Sequence, residues 1–172
     1  MTESIAEKAN TLIRALVAAL TPAPDQDLSQ ADTLAATDAH VGIENMAAAL
    51  IGRTWRTATA AQRARLCAAL LVTVTRNLAD LFRHRPRLGR PRIHASDDMD
   101  RWRVSTLLTL PAGQSVPVTW RIERNSGSPQ IYDVTIDGVS MLESLRAQLA
   151  GILTNEGVDA VSSRLEAMND RG

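Results

Sequence analysis

The stretch Ile131–Leu153, IYDVTIDGVSMLESLRAQLAGIL, admits few folds, because it spells a strand, a tight corner and a capped helix with no spacer between them. Ile131, Asp133 and Thr135 alternate with Tyr132, Val134 and Ile136, which is the period of a strand. Asp137-Gly138 is corner chemistry, since glycine reaches positive φ without a Cβ clash. Ser140 and Glu143 have the spacing of a capping box. Met141, Leu142, Leu145, Leu149, Ile152 and Leu153 then recur at helical spacing. A helix that begins where a strand ends packs back on its own sheet.

The rest of the chain supplies the sheet and the layer beneath it. Ser4–Leu20 reads as a helix opened by a Ser4/Glu7 capping box and ended by Pro22 and Pro24. Residues 25–38 are polar and Ala-rich, a short helix or a loop. His40–Ile51 reads as one helix stopped by Gly52. Thr59 and Gln62 cap the longest helix, with Leu66, Leu70, Val74, Leu78, Leu81 and Phe82 on its inner side and Pro86 beyond its end. Arg90–Ala95 is a weak strand broken by Pro91. Arg101–Leu110 and Val116–Glu123 alternate well, and short Gly/Pro/Asn connections imply an antiparallel meander. A last helix carries Val158, Val161, Leu165 and Met168. The expectation is α+β: N-terminal helices (1–38 being the helical lead-in), three or four antiparallel strands, then C-terminal helices, in a single domain over 1–172.

Chemistry is easier to exclude than to assign. Nineteen basic and nineteen acidic residues cancel, so nonspecific nucleic-acid binding is not suggested. Cys67 stands alone in a helical pattern and reads as a small buried hydrophobe. His40, His84 and His94 lack metal-ligand spacing, so no metal and no cofactor is expected. Asp97, Asp98 and Asp100 lack the Gly and terminal Glu of a calcium loop and read as a solvated hairpin tip. Asp133 and Asp137 lie four apart on the strand and could pair as carboxylates, but Asp137 sits where a turn wants Asp. No phosphate loop and no nucleophile elbow is present. Nothing argues for an enzyme. No segment reaches the ~18 apolar residues of a membrane span, and Ile5–Leu20, with Glu7, Lys8 and Arg14, does not read as a signal peptide.

Two blocks of the chain carry a family resemblance. YDVTIDGVSMLESLRAQL places Tyr132, Asp133, Val134, Gly138, Val139, Ser140, Arg146 and Gln148, and LIGRTWRTATAAQRARL places Gly52, Arg53, Trp55, Arg56, Thr59, Gln62 and Arg63. In this pattern the chain resembles the phospholipid-binding carriers of Mla-type lipid transport, the MlaC or toluene-tolerance family. Where that family often has aromatics, this chain has Thr54, Leu66, Leu70 and Leu149. The resemblance implies an apolar cavity between sheet and helices that encloses acyl chains. It also implies a periplasmic location, although an export signal is not legible. That signal was either removed, or the protein stays in the cytoplasm. The implied partners are a phospholipid, an inner-membrane ABC/MCE-type transporter complex and an outer-membrane lipoprotein complex. A hopanoid-associated branch makes a polycyclic lipid the second ligand, and a monomer is expected.

The residues that would line such a cavity are Leu66, Leu70 and Val74 on the long helix and Trp102, Val104, Leu108, Val118, Trp120, Ile122, Tyr132, Val134 and Ile136 on the sheet. Val139, Met141, Leu145 and Leu149 follow at the corner and its helix. From the residues alone the same set reads as ordinary core against the long helix, and it is the resemblance that turns the reading to a cavity wall. Arg53, Arg56, Arg103, Arg121 and Arg146 are the candidates for a headgroup phosphate, since a guanidinium matches phosphate with a planar fork. A carrier needs an apolar interior because each methylene exposed to water costs about 0.8 kcal/mol, or roughly 20 kcal/mol for two long acyl chains. Two other classes stay open: an adaptor whose cavity is filled by its own side chains, and an enzyme with a polar cluster such as Asp133, Tyr132 and a histidine.

Overall fold

The computed structural model describes residues 4–94 and 100–172. Helices come first: α1 (Ile5–Leu20), α2 (Gln30–His40), α3 (Ile43–Ile51), α4 (Thr54–Thr57) and α5 (Ala60–Phe82). Six strands follow, β1 (Arg87–Leu88), β2 (Arg92–His94), β3 (Arg101–Thr109), β4 (Ser115–Asn125), β5 (Ser128–Ile136) and β6 (Val139–Ser140). The chain closes with α6 (Met141–Glu156) and α7 (Val158–Asp170).

The expected α+β order holds, and the long helices start where their capping residues stand. Ser4 Oγ accepts from the Glu7 N–H and Glu7 accepts from the Ser4 N–H, opening α1; Thr59 and Gln62 do the same for α5. These exchanges satisfy two orphan donors at each helix end. The polar stretch after Pro24 becomes α2. The expected single helix from His40 is broken instead, because Val41 bridges Ile131 in parallel and the Gly42 N–H donates to the Ile131 carbonyl at 2.8 Å. The break lets the helical layer pair with the edge of β5, which would otherwise present open backbone groups.

The sheet is antiparallel throughout, in the order β1-β3-β4-β5-β6, with β2 also on β3. Three strands are long, as expected; β1, β2 and β6 are short additions at the edges. The weak strand expected over Arg90–Ala95 resolves into β2, and Ala95, Asp97 and Asp98 fall outside the described residues. Asp137-Gly138 joins β5 to β6 with φ of 49° and 83°. Both values are positive, as a two-residue I′ hairpin requires. Ser126-Gly127 joins β4 to β5 in the same way, with φ of 49° and 85°.

The core lies between one face of this sheet and the helices. Leu66, Leu70, Val74, Leu78 and Phe82 recur every four residues along α5 and are at most 1% exposed. That spacing forms a ridge on one side of a helix. Phe82 stacks on Trp120 of β4 with ring centroids 6.3 Å apart. α7 lies along α5, where Arg65 pairs with Glu166 at 2.9 Å. Among the described residues no helix is long and apolar enough to cross a membrane.

Candidate functional site

Cross-strand register decides which side chains share a face, because directly paired residues point the same way. On the inner face Trp102 pairs with Ile122 and Ile122 with Ile131; Val104 pairs with Trp120 and Trp120 with Val134; Thr106 pairs with Val118 and Val118 with Ile136. Leu108 continues the face opposite Leu88. Val104, Leu108, Val118, Trp120 and Ile122 are fully buried, and Leu66, Leu70 and Val74 of α5 belong to the same buried cluster. Met141, Leu145 and Leu149 of α6 join it. Trp102 and Ile136 are half-buried at its margins. The Trp120 indole N–H donates to Thr106 Oγ at 2.9 Å, and that hydroxyl donates to the Val118 carbonyl. The polar groups of this pair therefore face each other, leaving the surrounding wall apolar.

One expectation is corrected here. Tyr132 does not share a face with Val134 and Ile136. The β4–β5 register slips at Arg121/Ile122, so Ile131 takes the inward position and Tyr132 becomes the extra residue of a β-bulge. Tyr132 is half-buried among the outer-face groups, with the Arg101 guanidinium 5.4 Å from its ring. Burial pushes its hydroxyl pKa up, against the opposing pull of Arg121 and Arg101. Val139 follows the Asp137-Gly138 corner and is 60% exposed, at the mouth of a cleft rather than in the core.

Asp133 and Asp137 do not form a carboxylate pair. Asp137 is exposed in the turn. Asp133 is 1% exposed and fully engaged: Oδ1 accepts from the Val134 N–H at 2.8 Å and the Leu142 N–H at 3.0 Å, and Oδ2 accepts from the Ser140 hydroxyl at 2.5 Å. Ser140 in turn accepts from the Glu143 N–H at 3.1 Å. The expected Ser140/Glu143 box is thus half of a larger cap, in which a strand carboxylate holds the positive end of α6.

Two clefts of about 430 Å³ each lie at the margins of the apolar interior. One opens between α5, α6 and the β5–β6 corner, lined by Ile136, Val139, Met141, Leu145 and Met168 with Asn77, Asp80 and Gln148 at its rim. The other opens between the start of α1 and the β4–β5 hairpin, lined by Ile5, Trp102 and Pro129 with Lys8 and Arg124 beside them. Arg124 lies 5.7 Å from the Trp102 ring and 3.8 Å from Asp100. Lys8 and Arg124 were not legible as site residues, because only the packing of α1 beside the hairpin brings them together. A wider groove of about 850 Å³ runs between the α1–α2 loop, α5 and α7. It carries Asp27, Arg76, Arg83, Glu166 and Asp170 together with Leu20, Leu28, Ala69 and Val72.

The five arginine candidates do not form one cluster. Arg121 and Arg146 line a pocket of about 560 Å³ on the outer side of the sheet, with Arg101, Asn45 and Glu123. Arg146 also donates to the Ala49 carbonyl near the C-terminal end of α3. Arg103 lies exposed on the outer face opposite Arg121. Arg53 and Arg56 are exposed at the α3–α4 corner. There Trp55 is held by Arg63, which stacks 4.9 Å from its ring and donates to its carbonyl at 3.0 Å.

Among the described residues no group of three His, Cys, Asp or Glu side chains is placed to hold a metal ion. Cys67 is half-buried, and desolvation pushes its thiol pKa up. A raised pKa lowers the thiolate fraction, the opposite of what a nucleophile needs.

The architecture and a sequence family agree. In a solved structure, the phospholipid-binding protein from Ralstonia solanacearum in complex with a phospholipid, the same fold aligns over 95% of this chain and 96% of that one. The TM-score is 0.80 at 18% sequence identity. No curated protein matches the chain. The family model described as MlaC protein matches residues 7–167, nearly the whole chain from α1 to α7, and the protein therefore belongs to the MlaC family.

Proposed function

We propose that this protein is a phospholipid carrier that holds acyl chains between the inner face of its sheet and α5, with the phosphate at the Trp102 cleft. The observation that carries this reading is the apolar face that runs from Trp102 through Ile122, Trp120 and Val104 to Leu108, with one cleft at Trp102 and another at Ile136. Six residues of β3 span about 20 Å at the rise of a strand. Lys8 and Arg124 stand at the cleft where a phosphate would rest, and Ile5 and Trp102 supply its apolar floor. Membership of the family and the phospholipid in the Ralstonia solanacearum relative support the ligand class.

The seam is filled by side chains, with Phe82 and Trp120 stacked across its middle. An acyl chain must displace them by parting α5 from the sheet. Flexible chains can thread such a slit, whereas a fused-ring lipid needs a wider opening, so diacyl phospholipid is favoured over a hopanoid. Each methylene received recovers about 0.8 kcal/mol, which offsets the packing given up. No step of this function needs a nucleophile or a cofactor. The protein would shuttle its lipid across the periplasm as a monomer, between an inner-membrane ABC-type complex and an outer-membrane lipoprotein complex.

Trp102→Glu tests the reading, since Trp102 is half-buried and its replacement leaves the central core intact. Purified variant should retain the wild-type circular dichroism and lose its extractable phospholipid. Folded variant with undiminished phospholipid would remove the Trp102 cleft from the lipid path.

A further inference from the structure

The outer face of the sheet is cationic, and its charges break a rule of sheet stability. Register places Arg87, Arg92, Arg101, Arg103 and Arg121 on this face, with His94 beside them. Arg103 pairs directly with Arg121, and Arg121 has Asp133 opposite it on its other side. Like charges directly opposite each other on neighbouring strands are destabilising. Among the described residues the carboxylates that register puts on the same face are Glu123 and Asp133. Glu123 pairs with Arg101 and accepts from Asn45, and Asp133 is buried under the start of α6. Five arginines against two carboxylates leave a formal +3 on a chain whose net charge is +0. The segment feeding this edge adds Arg85 and Arg90, both exposed, and residues 84–94 contain no acidic residue.

We propose that this outer face docks the protein on an anionic phospholipid bilayer. At strand spacings the cations cover about 10 Å across the strands and about 26 Å along them, a footprint of several headgroups. Guanidinium groups grip phosphodiester oxygens in pairs, which a compact ammonium does not. Leu107, 47% exposed in the same row between Arg103 and Thr109, supplies an apolar contact at the interface. The core of the sheet lies on the opposite face, so docking leaves the Trp102 cleft at the sheet margin rather than beneath the membrane. This inference goes beyond the carrier reading and stands on charge placement alone.

Sedimentation with vesicles of phosphatidylcholine, with and without phosphatidylglycerol, tests it. The wild-type protein should pellet with the anionic vesicles at low salt, stay in solution with neutral ones, and be released at high salt. Arg87→Gln combined with Arg92→Gln should weaken partitioning about fivefold per cation, roughly thirtyfold together, with unchanged circular dichroism. Equal pelleting on neutral vesicles, or an unaltered double variant, would overturn the proposal. Absence of pelleting at low salt would overturn it too, and would direct the face to an acidic protein. Lipid content is read separately by extraction, so an empty protein that still pellets with anionic vesicles removes the carrier reading and leaves this one standing.

Discussion

Replacing Asp133 with alanine removes the group that joins β5 to α6, and the cost can be worked from its contacts. The carboxylate accepts two backbone N–H bonds, from Val134 and Leu142, and the Ser140 hydroxyl. A hydrogen bond to a charged group contributes about 1.5–3 kcal/mol, and a buried donor left unpaired costs about 1–3 kcal/mol. The Ser140 hydroxyl can turn to another acceptor, so two stranded N–H groups and a small void set the scale. Asp133→Ala should therefore cost about 3–5 kcal/mol. For a chain of this size that lowers Tm by about 6–20 °C. Asp133→Asn keeps an oxygen for both N–H groups, and Ser140 can accept from the new amide, so it should cost only about 1–2 kcal/mol. Urea unfolding followed by circular dichroism at constant m-value measures both. Loss of less than about 1 kcal/mol in the alanine variant, or an asparagine variant as damaged as the alanine one, would refute the capping account.

Gly138→Val should destabilise the protein by about 1–3 kcal/mol, because a β-branched residue is forced to a φ of 83° at the β5–β6 corner; an unchanged thermal midpoint would show that the corner relaxes. The hydrogen bond from Arg65 holds the Glu166 carboxyl below its ordinary value. Its folded pKa is the lower one, so the contribution is present above the unfolded value and is lost as pH falls through the folded value. The stability gap between wild type and Glu166→Gln should accordingly be widest near neutral pH and close in strong acid; a gap independent of pH would contradict the pairing.

How much of this was legible depends on whether the signal is local. The inner ridge of α5 was legible because Leu66, Leu70, Val74, Leu78 and Phe82 repeat at a helical spacing that needs no partner to interpret. The capping boxes at Ser4 and Thr59 were legible for the same reason. The Asp137-Gly138 corner was legible because positive φ at adjacent residues demands such a pair. Tyr132 was misplaced because strict alternation cannot register a bulge, which depends on where β4 slips against β5. The interruption at Val41-Gly42 was hidden because its cause is a bridge to Ile131, ninety residues away.

The site divides along the same line. Val104 and Leu108, and likewise Val118, Trp120 and Ile122, were recognisable from alternation as one face of their own strand, while their union into one wall depends on the β3–β4 register. Lys8 and Arg124 were not, since only the packing of α1 beside the β4–β5 hairpin makes them neighbours. The cationic outer face left a trace in the run of arginines from Arg85 to Arg92, but its pair of Arg103 and Arg121 exists only once β3 and β4 are in register.

Native mass spectrometry of the purified protein, with extraction and identification of whatever it releases, tests the carrier account most directly. The account predicts one diacyl phospholipid bound per chain. A protein that is found empty in repeated preparations, and that takes up no phospholipid from vesicles, would contradict it.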